Sequence, residues 1–119
     1  MAILFLTNDL MFSSRVSQFA REMGQEFSLC AAVDDLIDKV STDETLIIID
    51  LSLPQLEIGP AVAKLRSKAE NMKCIAFAPH VHEAKLAMAV DAGCDEVFSR
   101  GQFNSQIKEI LNKHLSSSS

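Results

Sequence analysis

The 119-residue sequence has no apolar run approaching the about 18 to 20 residues of a membrane span. The apolar stretch Leu46 to Ile49 ends in the carboxylate of Asp50, and the opening Met-Ala-Ile-Leu-Phe-Leu has no basic leader and soon meets Asn8 and Asp9. That opening reads as a strand of a cytoplasmic protein, not as a signal peptide. Positive charge is also short: 11 Lys and Arg stand against 16 Asp and Glu, a net charge of −5 that opposes attraction to phosphate backbones or anionic lipid. Direct binding to nucleic acid or membrane is therefore not expected. Cysteine is scarce and unpaired in pattern. Cys30, Cys74 and Cys94 form no C-x-x-C, which argues against a disulfide framework or a zinc site and for reduced thiols packed as small hydrophobes. No G-x-G-x-x-G, no G-x-x-x-x-G-K-[ST] and no G-x-S-x-G occurs, so dinucleotide, P-loop and hydrolase chemistry lack their cradles. A flavin phosphate would meet the carboxylate of Asp9 after the first strand.

What is present is a packed domain. Apolar residues are 48% and charged residues 23% of the chain, the balance of one ordinary globular domain over residues 1–115. Residues 116–119 are all serine and are expected to form a disordered tail.

Five apolar runs of strand length recur, at Ile3 to Leu6, Phe27 to Ala32, Leu46 to Ile49, Cys74 to Ala78 and Glu96 to Phe98. They do not alternate with polar residues, as expected of parallel strands covered on both faces. Segments of helical period lie between them. In the first, Phe12, Val16, Phe19, Ala20 and Met23 make one apolar face, and Gly24 is placed for a left-handed cap. The second begins near Asp34, with Asp34 or Asp35 placed to cap it and Leu36, Ile37 and Val40 inward. The third has Pro60 in its first turn and Val62 and Leu65 on one side. The fourth runs from about His82 to Ala92 and stops at Gly93, and the fifth is capped by Asn104 and carries Ile107, Ile110, Leu111 and His114. A (βα)₅ chain with right-handed crossovers closes most simply as a doubly wound parallel α/β sheet. Ligands of such sheets bind beyond the carboxyl ends of the strands.

Those ends carry Thr7-Asn8-Asp9, Asp50-Leu51-Ser52-Leu53-Pro54, Ala78-Pro79-His80 and Ser99-Arg100-Gly101. Asp9 and Asp50 are suited to a hard cation that keeps most of its waters, and two such carboxylates call for a neutralising partner, either a metal or Arg100. Asp9 serves equally as a helix cap. His80 and His82 lie nearby but lack a third strong ligand, His82 suits a helix start and His114 a helix end, and Cys94 has no basic neighbour in sequence to lower its pKa.

Thr7-Asn8-Asp9 after the first strand, Ile47-Ile48-Ile49-Asp50-Leu51-Ser52-Leu53-Pro54 at the third, Gly59, and Asp91-Ala92-Gly93-Cys94-Asp95-Glu96-Val97 before the fifth resemble the receiver domains of bacterial response regulators. The resemblance covers about Ala2 to Leu115. It implies a flavodoxin-like sheet in the order 2-1-3-4-5 and a signalling domain without metabolic turnover. In that family the aspartate matching Asp50 takes a phosphoryl group from a histidine kinase or phosphotransfer protein. Mg²⁺ would be held by Asp9, Asp50 and the backbone carbonyl of Ser52, with Asn8 replacing the second acidic residue and weakening the site. Arg100 stands for the family lysine and would pair with Asp50 in the absence of phosphate.

The departures lie in the readout. Ala78 replaces the hydroxyl residue that contacts the phosphoryl group, Val97 replaces the aromatic switch residue, and Gly101 replaces the proline after the lysine. Two functions remain open: an atypical receiver phosphorylated at Asp50, or a phosphorylation-independent pseudo-receiver. In either, the resemblance implies a downstream protein bound through the fourth helix, fifth strand and fifth helix.

Overall fold

Each of the five apolar runs becomes a strand, and all five pair in parallel in one sheet. A computed structural model describes residues 2–40 and 45–115, so the expectation for the 116–119 tail lies outside the described residues. The strands are β1 (Ala2–Leu6), β2 (Glu26–Cys30), β3 (Thr45–Asp50), β4 (Lys73–Ala78) and β5 (Glu96–Ser99). They lie in the expected order β2-β1-β3-β4-β5. Between and after them run α1 (Leu10–Glu22), α2 (Val33–Lys39), α3 (Ile58–Lys68), α4 (Glu83–Asp91), α5 (Arg100–Ser105) and α6 (Ile107–Leu115). Among the described residues no helix is long and apolar enough to cross a membrane.

The central strand shows why its sequence does not alternate. All of β3 from Thr45 to Asp50 is buried, because helices cover both faces of the sheet. Successive side chains then feed two separate cores. Leu4, Leu6, Ile47, Ile49, Cys74, Ala76 and Ala78 meet Leu36 of α2, Val62 and Leu65 of α3 and Ala89 of α4. Ile3, Phe5, Leu46, Ile48, Ile75 and Phe77 face Phe12, Val16 and Ala20 of α1, Phe103 of α5 and Ile107, Ile110 and Leu111 of α6. The second core is aromatic at its centre: Phe77 and Phe103 stack with centroids 4.5 Å apart and an interplanar angle of 8°, and Phe5 and Phe12 close around them edge-on or tilted.

Four local expectations are corrected. The second strand ends at Cys30, and Ala31 and Ala32 bend into α2. That helix starts at Val33 after Ala32, which makes no side-chain cap, so Asp34 and Asp35 lie inside its first turn, where their charge favours the helix N-terminus. The last helix is not capped by Asn104. Ser99 starts it earlier through a reciprocal capping box: its hydroxyl accepts from the Gln102 N–H at 3.2 Å, and Gln102 Oε1 accepts from the Ser99 N–H at 3.1 Å. Asn104 sits within α5 and accepts from Arg15. The expected single helix is also two, broken at Gln106, whose φ of −124° leaves the helical range. Gly24 does end α1 in the left-handed region at φ 71°, as its position implied.

Candidate functional site

The strand order reverses between β1 and β3, so the loops that follow these two strands part over the sheet's carboxyl edge. Asp50 is the last residue of β3 and is only 2% exposed. Its carboxylate is held on both oxygens. Oδ2 accepts from the Thr7 hydroxyl at 2.7 Å, and Oδ1 accepts from the Ser52 backbone N–H at 2.9 Å. Thr7 is itself buried at 1% exposure, and its oxygen accepts from the Asp9 N–H at 3.0 Å. One hydroxyl therefore links the two acidic residues, donating to the side chain of one and accepting from the backbone of the other. The sequence reading placed Thr7 in the motif without giving it a role. The available signal was a hydroxyl directly after a continuous apolar strand, where a buried polar group needs a partner.

Asp9 caps α1, its Oδ1 accepting from the Phe12 N–H at 3.1 Å. Its Oδ2 takes the Arg100 guanidinium at 2.6 Å. The Phe12 amide, and after it the Arg100 side chain, hold the Asp9 carboxyl below the usual carboxylate range. Arg100, the first residue of α5, also lies over the Phe12 ring, its central carbon 4.5 Å from the centroid. The cation that the sequence reading assigned to Asp50 is thus committed to Asp9 and Phe12. The physical reason is local: α5 begins directly at Arg100, and the aromatic face beside Asp9 offers a planar guanidinium a second contact.

Asn8 and Asp9 part company. Asn8 is exposed and lines a cleft of about 380 Å³ with Ala31 to Asp34 and Leu53 to Leu56. Asp9 lines a different one, of about 220 Å³, with Met11, Phe12, Arg15, Arg100 and Asn104. Gln55, in the wall of the first cleft, adopts a left-handed φ of 63°, uncommon for a residue with a side chain. The Ser52 hydroxyl is buried with no hydrogen-bond partner among the described residues.

Ala78 ends β4, is fully buried and pairs in register with Ser99; its side chain offers this strand end a methyl group and no hydrogen-bonding atom. Val97 is half-buried and packs against the core beneath α2, α3 and α4. His80 lines a cleft with Phe12, Pro79 and Arg100, whereas His82 precedes α4 as its cap residue without a side-chain cap bond. His114 lies in α6 with Nε2 2.8 Å from Glu96 Oε1. Among the described residues no three His, Cys, Asp or Glu side chains gather as a metal-binding group.

The donor set fits Mg²⁺ poorly in this arrangement. Asp50 is 2% exposed and turned to Thr7 and Ser52, Asn8 lines another cleft, and the partly exposed Asp9 carboxylate is already neutralised by the Arg100 guanidinium. A hydrated dication seeking one or two free carboxylates would have to displace Arg100 first.

No protein-family model and no curated protein matches the sequence. Solved structures do match in fold. A two-component response regulator from Clostridium difficile aligns with a TM-score of 0.80 and 15% identity over 99% of this chain and 98% of that one. The receiver domain of a sensor histidine kinase from Pseudomonas aeruginosa, which has a magnesium ion coordinated in its active-site cleft, aligns with a TM-score of 0.75 and 19% identity over 98% of both chains. An adenylate cyclase structure from Rhodopirellula baltica aligns with a TM-score of 0.77 and 18% identity over 97% of this chain and 87% of that one. With its 2-1-3-4-5 parallel sheet and alternating helices, the chain has the fold of the response-regulator receiver domains.

Proposed function

We propose that the chain is a cytoplasmic signalling receiver module of the two-component type that acts by docking protein partners and does so without phosphorylation of Asp50. The observation that carries this reading is the closure of the Asp50 carboxylate. It is 2% exposed and accepts from the Thr7 hydroxyl and the Ser52 amide. A nucleophile must present a free oxygen to an incoming phosphorus at about 3 to 3.5 Å. Here the carboxylate is buried and turned to Thr7 and Ser52, so phosphorus reaches it only if the edge opens, and the fully buried Ala78 has no hydroxyl to hydrogen-bond the phosphoryl group. Thr7 and Asp9, held together by the Asp9 amide, instead fix the edge of the sheet as a rigid scaffold. The downstream partner would be met on α4, β5 and α5. Of α4 only Ala89 is buried, and Met88 and Val90 are 57% and 61% exposed. Net charge of −5 favours a protein partner over nucleic acid.

A second reading keeps Asp50 as the phosphoacceptor, served by a histidine kinase or phosphotransfer protein. It is favoured by one observation: Asp50 ends the central strand beside the reversal of strand order, where ligands of such sheets bind. In that reading Arg100 would leave Asp9 for the phosphoryl group, and Asp9, Asp50 and the Ser52 carbonyl would be the residues to hold, weakly, a Mg²⁺ whose charge offsets that of the phosphate.

Intact mass after incubation with acetyl phosphate, with and without Mg²⁺, separates the two. The docking reading expects no phosphoryl adduct on a chain shown to be folded by circular dichroism. A Mg²⁺-dependent adduct that disappears in Asp50→Asn overturns it and establishes the phosphoacceptor.

A further inference from the structure

We propose that Cys74 and Cys94 form a modification site: a paired dithiol that a hydroperoxide oxidises to an intramolecular disulfide. The two residues are 20 apart in sequence, yet their sulfurs lie 3.8 Å from each other. Cys74 is fully buried at the start of β4, and Cys94 is half-buried in the turn between α4 and β5. Disulfide closure requires the sulfurs to approach to about 2.05 Å, a movement within reach of side-chain rotation if the two backbones hold still.

The backbones are held by a clamp independent of the sulfurs. The Asp95 N–H donates to the Cys74 carbonyl at 2.7 Å, and Asp95 Oδ2 accepts from the Cys74 N–H, also at 2.7 Å. Arg66 closes the clamp from α3. Its guanidinium donates to the Met72 carbonyl and the Gly93 carbonyl, both at 2.8 Å, and to Asp95 Oδ2 at 3.2 Å. Gly93 makes the turn at φ 97°, a conformation that places Cys94 back against the start of β4. Hydrogen bonds at Met72, Cys74, Gly93 and Asp95 therefore hold the backbone around the pair, leaving the approach of the sulfurs to rotation of the two side chains.

The pair is also asymmetric. The Cys74 thiol donates to the Cys94 sulfur and, against burial, this bond and the nearby Arg66 charge hold the Cys94 thiol below its ordinary value. The same bond and deep burial push the Cys74 thiol up. Cys94 is the more exposed of the two and the better thiolate, so it reacts first. Its sulfur attacks one peroxide oxygen and breaks the O–O bond; Cys94 becomes a sulfenic acid, and the departing hydroxide takes a proton to leave as water, or as an alcohol from an organic peroxide. Cys74 sulfur then attacks Cys94 sulfur, the S–S bond forms, and the sulfenic hydroxyl leaves as water with the Cys74 proton. Two thiols have lost two electrons in total, and the peroxide has gained them. Cys30 takes no part: it lies on β2, beyond β1 and β3 from β4, and burial pushes its thiol up to about 11.

The test treats the folded 119-residue chain with hydrogen peroxide, unfolds it, blocks remaining thiols by alkylation and reads intact mass and peptide map. The expected result is loss of two hydrogens, a fall from three alkylatable thiols to one, and a Cys74–Cys94 cross-linked peptide, all reversed by reductant. Cys30→Ala should retain the cross-link, and Cys74→Ala should stop at a sulfenic acid on Cys94 that dimedone captures. Should Cys74→Ala fail to fold, the peptide map of the parent chain decides alone. Higher oxides on Cys94 without a cross-link, disulfides only between molecules, or thiols that stay fully alkylatable would each overturn the proposal.

Discussion

Thr7 holds more of the sheet edge together than its size suggests. Its hydroxyl satisfies one oxygen of a buried carboxylate and takes the amide of Asp9, so Thr7→Val, which keeps the shape and removes both bonds, leaves two polar groups short. We expect a loss of about 2 to 3 kcal/mol in urea unfolding, with the denaturant slope unchanged. Asp9 responds to acid. Because its folded pKa is depressed, chiefly by the Phe12 amide and then by Arg100, its contribution is complete above the unfolded value of about 3.9 and is lost as pH falls through the folded value. Asp9→Asn keeps a competent cap and removes the titration, so its urea midpoint should fall less steeply than the parent's below about pH 4. At neutral pH the same change should cost under about 1 kcal/mol, since the Arg100 pair is partly solvated. Arg100→Gln removes the resident cation. Calorimetric titration should then detect Mg²⁺ binding stronger than in the parent, and equal binding in both would show that Arg100 does not guard the site. Which acid Arg100 chooses was not legible in the sequence. Both acids lie far from it along the chain, and the choice depends on the Phe12 ring beneath the guanidinium.

The strands were legible and one helix was not. Leu46 to Ile49 and Cys74 to Ala78 declare themselves because full burial on both faces demands an unbroken apolar run, and only a parallel sheet under helices supplies it. The end of the chain misled because two capping signals compete within a few residues: Asn104 is a good cap in isolation, but Ser99 with Gln102 satisfies two amides at once and starts the helix earlier. The Cys74–Cys94 approach was equally hidden, since it follows from β4–β5 pairing and the Arg66 clamp, neither of which leaves a local pattern. Ser99→Ala should cost about 1 kcal/mol in thermal or urea unfolding and should weaken the Arg100–Asp9 pair at the adjoining residue. An unchanged stability would mean that packing of Phe103 alone sets the start of α5.

At the scale of the molecule, the sheet divides the interior into two unlike halves. The half under α1, α5 and α6 holds Phe5, Phe12, Phe77 and Phe103 in mutual ring contact, whereas the half under α2, α3 and α4 is filled by branched aliphatic residues and alanines such as Ala76, Ala78 and Ala89. Helix α4 is tied to this second half by Ala89, with Leu86 and Ala92 partly buried beside it. Opening α4 thus exposes little apolar surface, while opening α5 must draw Phe103 out of a stack. In deuterium labelling, the amides of α4 should exchange through local opening well before those of α1, and uniform protection across both halves would contradict this. On that expectation α4 is the part of the molecule that breathes first. A partner that grips α4 would meet a surface able to yield, backed by a wall that is not, and would tighten the fold by quieting that single helix.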